Sequence, residues 1–197
     1  MRTTRLEAFS DGVLAVVITI MVLELKRPQD ATLQALAGST RTFLSYLLSF
    51  VYIAIYWNNH HHLFQVVERV SGGVLWANLH LLFWLSLVPF MTSWAEENDY
   101  AVWPVVGYGV NLFLAGSAYF VLQQAIYRTA GGSSLREALG RDVKGKASVV
   151  IYVVGIGLAF VNPLLAIGVY AAVAVIWLVP DRRVERYLAA REATAAD

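Results

Sequence analysis

Asp11 is the residue that asks most of its surroundings. It stands in Phe9-Ser10-Asp11-Gly12, ahead of a nearly unbroken apolar run to Leu25. A carboxylate in such a run is costly unless it is paired or hydrogen-bonded. Such a group marks a functional or a packing site. Anchoring is the expected role, with Arg5, Ser10, Asn58, Asn78 and His80 as the donors that other segments could bring to it. At 100° per residue, Phe9, Val16, Ile20 and Leu23 fall within about 40° of one direction, with Thr19 on one flank and Val13 on the other. Asp11 points roughly opposite. The segment therefore carries an apolar stripe with one hydroxyl beside it, a pattern that usually packs on a neighbouring helix or faces lipid. Arg5 and Glu7 mark one end of it and Glu24 the other.

Other chemistry-bearing residues point away from catalysis. His60-His61-His62 suggests a metal, but consecutive helical positions diverge by 100°, so the three cannot converge on one ion within a regular helix. Hydrogen bonding and packing are expected there. His80 reads as a buried hydrogen-bond partner, not a proton relay. Val106-Gly107-Tyr108-Gly109 spells part of the carbonyl filter of potassium channels. That filter needs a short pore helix and a re-entrant loop, whereas this tetrapeptide opens a continuous apolar run just after Pro104, with Val105 in place of Thr. Its glycines are expected to serve close helix packing. No hydrolase, zinc-protease or phosphate-loop motif is present. There is no cysteine, which excludes disulfides and thiolate ligands. The net charge of +1 gives no bulk signal for nucleic acid.

The elements that must position these residues are membrane helices. The chain is 58% hydrophobic and 15% charged, with a mean hydropathy of +0.56; a soluble domain is about 25% charged. Spanning helices need roughly 20 apolar residues. Six are expected, at about 5–26, 42–64, 74–94, 102–127, 147–160 and 163–179, in a single all-α domain with no internal repeat. Asn162-Pro163 makes the last two a tight hairpin. The stretch from Thr129 to Lys146 reads as a basic loop, with a short amphipathic helix around Leu135 to Leu139. Residues 180–197 read as a charged tail. With the N-terminus inside, inner segments hold twelve of the 15 Lys and Arg residues and outer segments hold Lys26, Arg27 and Arg41. That bias predicts cytoplasmic termini. The acidic stretch Glu96-Glu97-Asn98-Asp99 then falls outside. Trp57, Trp76, Trp94, Trp103 and Trp177 lie near helix ends, as an interfacial aromatic belt requires.

Arg5-Leu6-Glu7-Ala8-Phe9-Ser10-Asp11 resembles the R-x-x-x-F-S-D signature of the transmembrane protein 175 family. Thr19 and Leu23-Glu24 fit the same pattern, and Trp57-Asn58-Asn59-His60-His61 is a second match. The resemblance implies a homotetrameric potassium-permeable channel in the cell membrane, lacking a carbonyl filter and lined centrally by the first helix. It implies that Val16, Ile20 and Leu23 form pore-facing layers with Thr19 as a polar layer. Val16 is smaller than the isoleucine common at its place. Arg5, Phe9, Ser10, Asp11, Asn58, His60 and His80 would be structural, and Glu24 would sit at the outer mouth. Potassium would be the permeant ion; no cofactor or metal is implied, and the partners would be copies of the same chain and the bilayer. Two alternatives stand beside this reading. A secondary transporter or proton-coupled carrier would need a midplane site with broken helices and usually an inverted repeat, and a non-transporting scaffold would give no flux.

Overall fold

The computed structural model describes residues 3–65, 67, 70–129 and 143–178. Among them are eight helices and no strand. They are α1 (Thr3–Leu23), α2 (Leu33–Gly38), α3 (Thr40–Gln65), α4 (Gly72–Ser86), α5 (Val88–Glu97), α6 (Val102–Tyr127), α7 (Val143–Ala159) and α8 (Pro163–Leu178). Three stretches are long and apolar enough to cross a membrane, namely Thr3–Leu23, Gly72–Glu97 and Val102–Tyr127. The chain is thus an all-helical, membrane-embedded protein. The stretch expected as a basic loop from Thr129 to Lys146 is helical from Val143, where α7 begins; residues 130–142, with the short helix expected around Leu135 to Leu139, and the 180–197 tail lie outside the described residues.

Two helix assignments differ from the sequence reading. The segment expected as one helix over 74–94 is α4 followed by α5, interrupted at Leu87. Pro89 causes the break, because it has no N–H to give the carbonyl four residues back and its ring crowds that carbonyl. The short α2 was not expected. Thr32 caps it, its hydroxyl accepting from the Ala35 N–H at 3.2 Å. At the α7–α8 hairpin, the Asn162 side-chain oxygen accepts from the N–H groups of Leu164 (2.9 Å) and Leu165 (3.4 Å). Pro163, at the first helical position, had no N–H to satisfy.

Helix α6 is the packing centre, set against α4, α5, α7 and α8, while α1 lies on α3, α4 and α5. Tyr170 of α8 is the keystone of the first group and is fully buried. Its ring is wedged between Gly109 of α6 and Gly155 of α7, where a Cβ at either position would overlap it. Its carbonyl accepts from the Tyr52 hydroxyl at 2.5 Å, and its own hydroxyl donates to the Val105 carbonyl at 3.4 Å. One residue therefore ties α3, α6, α7 and α8 together.

Candidate functional site

Helix α1 meets its own subunit along one face only. Thr3, Leu6, Ser10, Leu14, Val17 and Met21 are buried. These positions recur every three to four residues, the period of a helix face. The stripe lies elsewhere on the helix: Phe9 is 52% exposed, Val16 55%, Ile20 42% and Leu23 81%. The exposed arc is wider than the stripe, since it also takes in Asp11, Ala15 and Val22. Thr19 is exposed too, and its hydroxyl donates to the Val16 carbonyl at 2.8 Å. The hydroxyl proton is thus turned into the helix, and the oxygen lone pairs face away from it.

A chain of buried polar groups holds α1 against α3 and α4. The Ser10 hydroxyl donates to the Leu6 carbonyl at 2.9 Å. The Asn78 amide N–H donates to the Ser10 oxygen at 2.9 Å. The Asn78 oxygen lies 2.7 Å from His60 Nε2, so that nitrogen must carry the proton. Ser10, Asn78 and His60 are all almost wholly buried, and each finds a partner, as burial demands. At the N-terminal end of α1 the Thr3 hydroxyl adds a bond to the Val67 carbonyl at 2.5 Å.

Asp11 departs from expectation. Its carboxylate is exposed on the subunit and accepts from the Trp57 indole N–H at 2.9 Å. None of the five donors expected for it makes that bond. Ser10 and Asn78 are committed to each other. Arg5 is exposed and in no ion pair among the described residues. Asn58 is half-buried and makes no side-chain hydrogen bond there. His80 is exposed, not buried, and its Nε2 accepts from Trp84 of the same helix at 2.9 Å. The sequence signal for Trp57 was its indole N–H at the right depth on α3, which an aromatic-belt role alone conceals. His61 and His62 both lie against the Gln65 amide, and no group of three metal-ligating side chains occurs among the described residues.

The end of the bundle where α1 and α5 finish and α3 begins is acidic but partly neutralised. Lys26 pairs with Glu97 at 2.9 Å and Arg41 with Asp99 at 3.7 Å. Hydrogen bonding and charge from Glu97 raise the Lys26 pKa above its ordinary value. Glu24 accepts from Ser93 at 3.4 Å and Glu96 from Thr42 at 2.6 Å, and neither is in an ion pair among the described residues. Val106-Gly107-Tyr108-Gly109 lies inside the continuous helix α6. Its carbonyls run along a helix axis and cannot form a cage around an ion. Tyr108 is buried and bonded to Ser49 at 3.0 Å.

A family model described as the endosomal/lysosomal potassium channel TMEM175 matches residues 5–89, the stretch that supplies α1 and the helices holding it. A potassium channel of Chryseobacterium sp. is 52% identical over 185 residues, covering 93% of this chain and 96% of that protein. The chain belongs to the TMEM175 family. A potassium channel of Chamaesiphon minutus is 30% identical over 188 residues, covering 88% of this chain and 92% of that one. The crystal structure titled as a lysosomal potassium-selective channel TMEM175 homolog from Chamaesiphon minutus superposes with a TM-score of 0.76 at 27% identity, covering 90% of this chain and 96% of that chain. The TMEM175 protein of Gallus gallus, named a proton channel, is 28% identical over 127 residues, which is 24% of its length.

Proposed function

We propose that four copies of this chain assemble as a potassium-permeable cation channel in the cell membrane, with six spanning segments each and both termini cytoplasmic. The single observation behind this reading is the exposed Phe9-Val16-Ile20-Leu23 stripe on a helix whose adjacent face is anchored by buried polar bonds. The anchor fixes which side of α1 is offered outward. Family membership and relatives named potassium channels support the choice of permeant ion.

Four such stripes around a shared axis make stacked rings of Val16, Ile20 and Leu23. Narrow apolar rings expel water, and an ion that would have to shed its hydration there is stopped. Slight widening admits a partly hydrated cation. The outward lone pairs of Thr19 replace some of its waters. Since α6 holds the filter-like tetrapeptide as plain helix, no carbonyl cage replaces the whole shell. Discrimination of potassium over sodium is then modest. Glu24 and Glu96 draw cations to the outer mouth.

The test is a mass measurement in detergent followed by flux from liposomes made with the same sample. A tetramer with potassium efflux that needs no counter-substrate supports the channel. Strict coupling to a second ion or to a proton gradient identifies a carrier instead, and a tetramer without flux identifies a scaffold. A pH-sensitive dye in the same liposomes reads proton permeation alongside potassium.

A further inference from the structure

A cavity of about 350 Å³ lies between α3, α6, α7 and α8, well away from the α1 stripe. Its volume is at the lower end of the roughly 300–1,000 Å³ typical of small-molecule sites. The wall is mainly apolar and rich in aromatic side chains, among them Tyr56, Tyr119, Phe120, Tyr152 and Trp177. Phe120 and Val121 on its edge are exposed, so the cavity opens on the flank of the subunit. Lys146 stands at one end, where α7 begins. That ammonium is exposed and in no ion pair among the described residues. Lys144 lies beside it, 5.9 Å from the Trp177 ring. A second polar feature lies within. Tyr56 is only 9% exposed, yet its hydroxyl makes no hydrogen bond among the described residues. That oxygen lies 3.6 Å from where a Cβ on Gly116, a wall residue, would stand.

We infer that this cavity takes one acyl chain of an anionic phospholipid, with its phosphate at Lys146. The charge pattern selects the occupant: a cation at one end of an otherwise apolar, aromatic slot matches an amphiphile with an acidic head. A neutral tail would leave Lys146 unanswered, and a free anion would leave the aromatic walls in water. Trp177 flanks the mouth at the end of α8, and indole rings favour headgroup depth. The lysine stem reaches along the apolar wall while its charge stays at the surface. The buried Tyr56 hydroxyl supplies a donor for the ester carbonyl at the head of the chain. The site depends on membrane embedding and not on the channel reading, so its test is separate from ion flux.

The experiment is native mass spectrometry of the purified full chain, offered phosphatidylglycerol and phosphatidylcholine with identical acyl chains. Retention of the acidic lipid should exceed that of the neutral one about fivefold, the effect of one lysine near an acidic surface. Lys146→Gln should bring the ratio to about one, and Gly116→Leu, which fills the slot, should remove retention of both. Equal retention by the unaltered protein overturns the proposal, as does a Lys146→Gln variant that keeps the preference. Full competition by glycerol phosphate also overturns it, by making the site one for a free anion. Should Gly116→Leu not fold, brominated phosphatidylglycerol decides. It should quench the fluorescence that Trp177→Phe removes, and less so in Lys146→Gln. Absence of that quenching overturns the proposal, and the slot is then covered by a neighbouring subunit.

Discussion

Helices α1 and α6 are both long, apolar and able to cross a membrane, yet they use their surfaces oppositely. The most apolar window of α6 is 44% buried in its own subunit, and that of α1 only 28%. α6 buries a filter-like Val-Gly-Tyr-Gly among neighbours and uses its small residues to admit Tyr170. α1 buries one narrow face through a polar chain and leaves Val16, Ile20 and Leu23 outside. On the proposed reading, a motif is therefore a poor guide to which helix meets the ion. What a helix leaves uncovered after its own subunit has folded is a better one.

The sharpest way to break this contrast is to crowd α6. Gly109→Ala places a methyl group into Tyr170, which Gly155 and the Val105 carbonyl hold from the other sides. Overpacking of this kind costs about 1–3 kcal/mol. The expected outcome is a clear drop in the thermal midpoint in detergent, with loss of folded yield. An unchanged midpoint would mean that Tyr170 can swing aside and that α6 is not the rigid centre.

The next effect falls on the anchor of α1. Asn78→Leu removes the amide that links Ser10 and His60, leaving two buried polar groups short of a partner. Each such loss costs about 1–3 kcal/mol, and relaxation around the new side chain offsets part of it. The thermal midpoint should fall by an amount comparable to that in Gly109→Ala. A variant as stable as the parent would show that apolar contacts alone hold α1 to α3 and α4.

How much of this was legible beforehand follows from where the determining contacts lie. Helical positions and the α1 stripe come from periodicity within one segment, and the stripe is exposed where phase puts it. The break at Leu87 was also written in the chain, as Pro89, but a hydropathy window averages over a single proline. The partner of Asp11 was not legible. Any of several donors at similar depth satisfies a carboxylate, and only the rotation of α3 about its axis selects Trp57. The same holds for His80, whose exposure depends on which face α4 turns to α6. The Tyr170 wedge needs three helices to meet, so no local pattern announces it.

Replacing the stripe should leave the subunit almost indifferent, which is what makes the substitution informative. Leu23 is 81% exposed and Val16 55%, so Leu23→Ala and Val16→Ser each change the stability of the folded subunit by about 0.5 kcal/mol or less. In the proposed tetramer the same changes widen or wet an apolar ring, and potassium leak from liposomes should rise while selectivity over sodium falls. Unchanged conductance in both variants would remove these residues from the pore and return the stripe to lipid.

The smallest effect belongs to the acidic end, where Lys26 and Glu97 meet on the exposed surface. The raised pKa of Lys26 sets the sign: whatever the pair adds is present at neutral pH and is lost as pH climbs through a value above the ordinary 10.5. An exposed pair is screened by water and salt, so Lys26→Gln should leave the thermal midpoint unchanged within error from mildly acidic to mildly alkaline pH. It removes one of the two cations ion-paired to this acidic cluster among the described residues, where Glu24, Glu96, Glu97 and Asp99 remain. The outer mouth therefore becomes more negative, and potassium conductance at low salt should rise slightly and converge with the parent at high salt. If conductance instead responds equally at all salt concentrations, Lys26 acts through a contact and not through its field. This acidic end would then be a positioned part of the pathway, as α1 is proposed to be, and not a diffuse attractor.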